Sequence, residues 1–320
     1  MLLILIIDNF LYRIISAFAL QMSYVGSFHN FIQSRDAAGL QVFMTNEQHL
    51  PSDHIERNNR ALFEACRDGA EDICEVLIIF GADVNSAVVG HQTPLFIACE
   101  NAHPVCVDLL LSYKTDLNAG DLNFVTTPLM ATADQVDIPD DLTLDQFIDN
   151  RCRCMRSMLL AGAAIDQTDC YGTTALMWAT WNFRLTEILI EEGANVNTVD
   201  TNEEEHALHF ASRRNNADVM DMLLKCGADI NAANAFKWTA LHWACYQMYP
   251  AVVESLLRHA ADIDIVDHIG LTALQLTLAE PDSPNRVAVL QLMATYAQTR
   301  LEASSADWIR LARNERIIQH

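Results

Sequence analysis

Between residues 56 and 297 the apolar and polar positions recur in a fixed order. Three-residue clusters ending in leucine lead each round: Arg60-Ala61-Leu62, Thr93-Pro94-Leu95, Thr127-Pro128-Leu129, Thr174-Ala175-Leu176, His206-Ala207-Leu208, Thr239-Ala240-Leu241 and Thr272-Ala273-Leu274. Their spacings are 33, 34, 47, 32, 33 and 33 residues, the period of a repeated supersecondary unit. A second register falls later in each round, at Gly81-Ala82-Asp83, Gly162-Ala163-Ala164, Gly193-Ala194-Asn195, Gly227-Ala228-Asp229 and the degraded Ala260-Ala261-Asp262.

Each round predicts two helices. A threonine hydroxyl caps a helix N-terminus, and proline just inside it needs no N–H partner, so Thr-Pro-Leu opens a first helix, A. One turn on stands a small residue (Ala65, Ala98, Ala179, Ala211, Ala244) that lets neighbouring helices approach; Thr132 and Thr277 are the exceptions. Runs such as Val107-Asp108-Leu109-Leu110-Leu111 and Val219-Met220-Asp221-Met222-Leu223-Leu224 form a second helix, B, which glycine ends in a left-handed cap. Segments such as Asp83-Val84-Asn85 and Asp229-Ile230-Asn231 then lead into the next unit.

These motifs resemble those of the ankyrin-repeat family, with seven repeats over about three-quarters of the chain. The resemblance implies an all-α solenoid of about seven helix–turn–helix repeats with β-hairpin-like fingers, each unit stabilised by its neighbours. The expected organisation is an apolar N-terminal helix at 1–22, a connecting segment at 23–55, the repeat domain at 56–297 and a tail or capping helix at 298–320 containing Trp308. The last repeat reads as a cap, because Pro281 and Pro284 interrupt it and no glycine closes its second helix.

Three departures from the 33-residue unit stand out. The third repeat has an acidic insertion at about 134–150, holding Asp134, Asp137, Asp140, Asp141, Asp145 and Asp149 without a lysine or arginine before Arg151. Its spacing is not that of a calcium loop, and a solvated insertion is the leading expectation. Leu142, Leu144, Phe147 and Ile148 predict a short helix there, with Arg151, Arg153 and Arg156 offsetting the acidic run. The fourth repeat loses two residues near Trp181, and the finger before the fifth gains one at Glu203-Glu204-Glu205, an acidic fingertip.

The resemblance implies that fingertips and the concave side of helix A face a partner. Carried onto this chain, those positions include Tyr171, Thr173, Trp181, Asn182, Glu205, Arg213, Arg214, Phe236, Trp238, Tyr246, Gln247, His268 and Ile269. Aromatics concentrate in repeats four to six, and exposed aromatics with arginine are the chemistry of an interface hot spot. The competing expectation is that Trp181 and Trp238 pack against neighbouring repeats. His209 and His242 occupy the family's Thr-Pro-Leu-His place, where imidazole bonds within and between repeats. Asn85, Asn118, Asn197 and Asn231, each eight residues after a leucine, match a position that is hydroxylated in some ankyrin-repeat proteins; the plainer expectation is a turn asparagine bonding its own backbone.

Composition narrows the function. The 320 residues are 51% hydrophobic, and 42 acidic against 20 basic residues give −22, which argues against nucleic acid. Nine cysteines, neither dense nor regularly paired, suit a reducing compartment, and Cys152 and Cys154 lack zinc-site spacing. No phosphate-binding glycine loop, nucleophile elbow or metalloprotease motif is present, so no enzyme, cofactor or metal is expected. Residues 1–20 hold 16 apolar residues, but Asp8 and Arg13 would each cost about 2.5–3.5 kcal/mol near a bilayer centre. A cap on the first repeat is expected, with a signal or membrane anchor as the alternative.

The sequence therefore predicts a monomeric, cytoplasmic or nuclear scaffold or adaptor binding a protein or peptide with a basic or mixed patch. A ubiquitin-ligase substrate adaptor and a membrane-tethered scaffold are the alternatives; residues 298–320 show no recognisable ligase-recruitment box.

Overall fold

Residues 28–46, 54–87, 92–121, 124–135, 138, 142–281 and 283–299 are described in a computed structural model. They fall into two units, one of Met1–Thr132 with Ile138–Ala163, the other of Ala133–Asp137 with Ala164–His320. The apolar segment 1–22, the tail from 300 onward with Trp308, and Asp137, Asp140 and Asp141 lie outside the described residues. Among the described residues no helix is long and apolar enough to cross a membrane.

In the first unit, helix α1 (28–34) precedes α2 (Ala37–Asn46), α3 (His54–Arg67), α4 (Glu71–Ile79), α5 (Pro94–Glu100), α6 (Pro104–Leu111), α7 (Pro128–Ala133, whose last residue groups with the second unit) and α8 (Leu144–Leu160). The second holds α9 (Ala175–Ala179), α10 (Phe183–Glu191), α11 (Ala207–Arg213), α12 (Ala217–Lys225), α13 (Ala240–Tyr246), α14 (Pro250–Arg258), α15 (Ala273–Ala279) and α16 (Pro284–Thr299). Within each unit first helices stack on first helices and second on second, as in α3 on α5, α4 on α6, α11 on α13 on α15, and α12 on α14 on α16. The seven expected pairs are α3/α4 through α15/α16. Among the described residues three fingers are closed by single antiparallel bridges, Thr168–Thr174, Val199–His206 and Val266–Thr272, and none forms an extended strand.

Local chemistry sets the helix ends. Thr93 Oγ1 accepts from Phe96 N–H at 3.2 Å with Pro94 just inside, and Thr174 and Thr272 cap their helices likewise. Helix α12 ends with Ala228 N–H on Leu223 O and Gly227 N–H on Leu224 O, a Schellman closure that puts Gly227 at φ 87°. Ala260 adopts the same left-handed conformation, φ 63°, at the end of α14.

The connecting segment expected at 23–55 is corrected in part: residues 28–46 form an eighth helix pair. Phe28, Ile32, Leu40 and Met44 are buried, and α2 packs on α4. Arg35 turns α1 into α2 at φ 52°, as Gly69 and Ala102 do within the next two pairs at 65° and 58°. Thr-Pro-Leu and the closing glycine are both missing there, so neither register reveals the pair.

Among its described residues the insertion in the third repeat contains no separate short helix. Thr143 and Gln146 form a reciprocal capping box that starts α8 early, and α8 runs on unbroken as the second helix of its pair. Arg151 is fully buried, donating to Thr132 O at 3.0 Å and Glu100 O at 3.1 Å, with its guanidinium 4.7 Å from the Phe147 ring centre. It thus joins the ends of two first helices, where the last carbonyls lack intrahelical partners, instead of offsetting surface acids.

Candidate protein-binding surface

One buried side chain shapes each finger of the second unit. Asp169, Asp200, Asn234 and Asp267 each accept two backbone N–H groups through Oδ1, from Tyr171 and Thr173, Glu203 and Glu205, Phe236 and Trp238, and Ile269 and Leu271. The fingers are also tied to one another: Thr201 N–H donates to Tyr171 O at 2.7 Å, Ala235 to Glu203 O at 2.8 Å and His268 to Phe236 O at 3.1 Å. Burial raises the carboxyl pKa of Asp267, but N–H donation from Leu271 and Ile269 and from the Trp238 indole outweighs it and holds the group below its ordinary range.

Beside these fingers the helix-A side carries an aromatic cluster. Trp238 meets Trp243 and Tyr246 edge to face, with centroids 4.6 and 5.3 Å away, and Trp243 meets Tyr246 at 6.4 Å. The Trp238 indole N–H reaches Asp267 Oδ2 at 3.3 Å. Arg213 lies 5.0 Å from the Trp243 ring centre and 5.9 Å from that of Phe210. Tyr246 is 43% exposed, Gln247 is exposed, and Trp238 and Trp243 are half-buried.

Not every expected contact residue faces outward. Glu205, predicted at an exposed fingertip, is 1% exposed, and its carboxylate accepts from Arg213 at 2.8 Å and from Asn234 Nδ2 at 3.4 Å. The longer finger folds its last residue inward, so Glu203 and Glu204 alone form the acidic tip. Burial raises the Glu205 pKa against the opposing pull of Arg213. Arg214, expected beside Arg213 on the partner side, instead donates to Met177 O, Trp178 O and Thr180 Oγ1 at the end of α9. Asn182 is the N-cap of α10, accepting from Arg184 and Leu185 N–H. Trp181 is half-buried, its indole N–H on the carbonyl of Ala133, which groups with the second unit. Tyr171, Phe236 and His268 are exposed at finger ends, the His268 ring lying tilted against Phe236 with centroids 5.8 Å apart.

Sequence reasoning missed Trp178, Phe210 and Trp243, all half-buried on the helix-A side. The signal was available: each is the fifth residue counted from the helix-opening Thr or His, at one place in successive repeats.

Of the family-like histidines and asparagines, His209, Asn85, Asn197 and Asn231 tie repeats together, whereas His242 Nδ1 caps its own helix by accepting from Thr239 N–H. His209 Nδ1 accepts from His206 N–H at 3.1 Å, so Nε2 carries the proton and donates to Trp238 O at 3.0 Å. Burial lowers the His209 pKa to about 4, against the opposing pull of that carbonyl. Asn85, Asn197 and Asn231 accept through Oδ1 from the backbone N–H of Asp116, Asp229 and Asp262, one repeat on. Asn85 and Asn197 also donate to Lys114 O and Gly227 O. These side chains clamp the next unit rather than their own turn; Asn118 places its own N–H on Asp116 Oδ1.

Comparison with known proteins bears on the same architecture. The family described as ankyrin repeats (3 copies) matches residues 29–137, 146–234, 182–267 and 208–298. Inversin from Canis lupus familiaris is 32% identical over 154 residues, 47% of this chain and 14% of inversin. Protein fem-1 homolog C from Homo sapiens is 42% identical over 59 residues, 18% of this chain and 9% of that protein. The chain therefore spans a small part of these relatives' length. Among solved structures, the ankyrin repeat domain of human ASB11 gives a TM-score of 0.57 at 23% identity, covering 72% of this chain and 96% of that one. The ankyrin repeat domain of Bcl-3 gives 0.56 at 22% identity, covering 72% and 97%.

Proposed function

The chain belongs to the ankyrin-repeat family, and on that premise we propose that it is a non-enzymatic interaction module binding a protein or peptide through its second unit. Repeats of this family generally bind protein partners. The observation that carries the location is the Trp238–Trp243–Tyr246 cluster with Arg213 across Trp243. Rings held by neighbours and still partly exposed bury large area on binding with little loss of side-chain freedom. The acidic balance of the chain favours a partner with a basic or mixed patch around an apolar anchor. In this reading the protein acts as a monomeric scaffold or adaptor, and its nine cysteines, seven of them buried, suit a reducing cytoplasmic or nuclear compartment.

Affinity capture with the full chain, compared with Tyr246→Ala/Phe236→Ala, tests the location. These two side chains are exposed, so a far-UV spectrum and melting temperature close to wild type are expected. Loss of the captured partner supports the surface, and an unchanged partner list from a folded variant overturns it.

A further inference from the structure

The four fingers of the second unit present one side chain each in an equivalent place. Backbone N–H groups of Tyr171, Glu203, Phe236 and Ile269 each bond Oδ1 of the Asp or Asn that shapes their own finger, at 2.9, 3.1, 3.0 and 2.9 Å. The carbonyls of the first three take an N–H of the next finger. One clamp within each finger and one bond to its neighbour therefore fix these side chains as a row.

The chemistry along the row is uneven. Tyr171, Phe236 and Ile269 are 48%, 46% and 65% exposed. The second place holds Glu203, followed by exposed Glu204 at φ 57° in the finger with the extra residue. Among the described residues neither carboxylate is in an ion pair. Stacked helices lie about 8–10 Å apart, so the row advances about 10 Å per finger. Three residues of extended chain, at about 3.3 Å each, cover that step.

On the premise that the second unit is the binding surface, we propose that this row reads an extended segment of the partner. Opposite Glu203 and Glu204 the segment carries an arginine or lysine, and opposite Tyr171, Phe236 and Ile269 it carries apolar side chains at about three-residue intervals. Apolar tips gain from burial. The unpaired carboxylates reward a cation at one place only and repel an acid there, so charge sets the register and apolar area supplies affinity. Because the fingers are already bonded to one another, little ordering accompanies binding.

Panning a phage-displayed library of random 12-residue peptides on the full chain tests the row. Expected are peptides with a basic residue flanked at three-residue spacing by apolar ones. A synthetic copy of the best peptide should bind Glu203→Lys/Glu204→Lys at least about tenfold more weakly, and a peptide with its basic residue changed to glutamate should regain affinity for that variant. Ile269→Ser should weaken the parent peptide without changing the charge preference. Enriched peptides without a basic residue, or binding indifferent to the charge reversal, overturn the row, as does a library that yields no enrichment. Peptides lost with Tyr246→Ala but indifferent to all finger variants overturn the row while leaving the proposed function in place. Loss of the natural partner's capture in the Tyr246→Ala/Phe236→Ala experiment is read separately.

Discussion

Arg213 donates to the carboxylate of Glu205 at 2.8 Å while the same guanidinium lies 5.0 Å from the centre of the Trp243 ring. The pair joins finger to helix: Glu205 is buried at the base of its finger, and its own N–H bonds Asp200. Removing the cation leaves a buried carboxylate short of a donor, so Arg213→Ala should destabilise the fold by about 1–3 kcal/mol. Glu205→Gln should cost less, because the amide oxygen still accepts from Arg213. Urea unfolding of both variants gives the comparison. The sign of the pH effect follows from burial: the raised Glu205 pKa means that this group weakens the fold as pH rises from about 4.5 through its folded value. Glu205→Gln should remove that component.

His209 works in the opposite direction. Its pKa falls from 6.5 to about 4 on folding, so the unfolded chain binds the proton more readily between those values. Stability from this group is complete above pH 6.5 and declines as pH drops towards 4, by about 3 kcal/mol in all. Gln275 fills the same place in the last repeat, and its Oε1 accepts Thr272 N–H at 2.8 Å. His209→Gln should therefore keep the cap and flatten the decline, as read from urea midpoints between pH 7.5 and 4.5.

The helix pair at 28–46 gives a third test. Leu40 is fully buried where α2 packs on α4. Leu40→Ala should cost about 2–5 kcal/mol if the pair is part of the folded stack. Hydrogen exchange should then quicken in α3 and α4 before the second unit responds. Unchanged protection throughout would show that this pair does not support its neighbours.

Ala260 stands where four other repeats have glycine, and it holds φ 63° without the freedom glycine brings. Ala260→Gly should raise stability by about 0.5–1 kcal/mol. The converse change, Gly227→Ala, meets no neighbouring atom within 4 Å and should lower stability by a similar amount through backbone strain alone. Thermal unfolding of the two variants reads opposite shifts.

Seven of the eight described pairs were legible because cap chemistry is local. A threonine, a proline and a glycine act on N–H and carbonyl groups a few residues away, so their recurrence marks the helix ends wherever it survives. The pair at 28–46 carries neither signal, and its burial depends on what α2 packs against.

The candidate surface divides along the same line. The repeat register by itself determined that Tyr171, Phe236, Trp238 and Tyr246 belong to fingers and first helices, because a period of 33 fixes each residue's place within its unit. Only the tertiary structure decided that Glu205 turns inward to Arg213, that Arg214 serves the end of α9 and that Arg151 joins two helix ends. The physical reason is distance along the chain: Arg214 meets its carbonyl acceptors 36 and 37 residues away, and Arg151 reaches back 51 to Glu100. Position within a repeat says which side of a unit a residue occupies. Which unpaired carbonyl, carboxylate or ring waits there is set by the neighbouring unit.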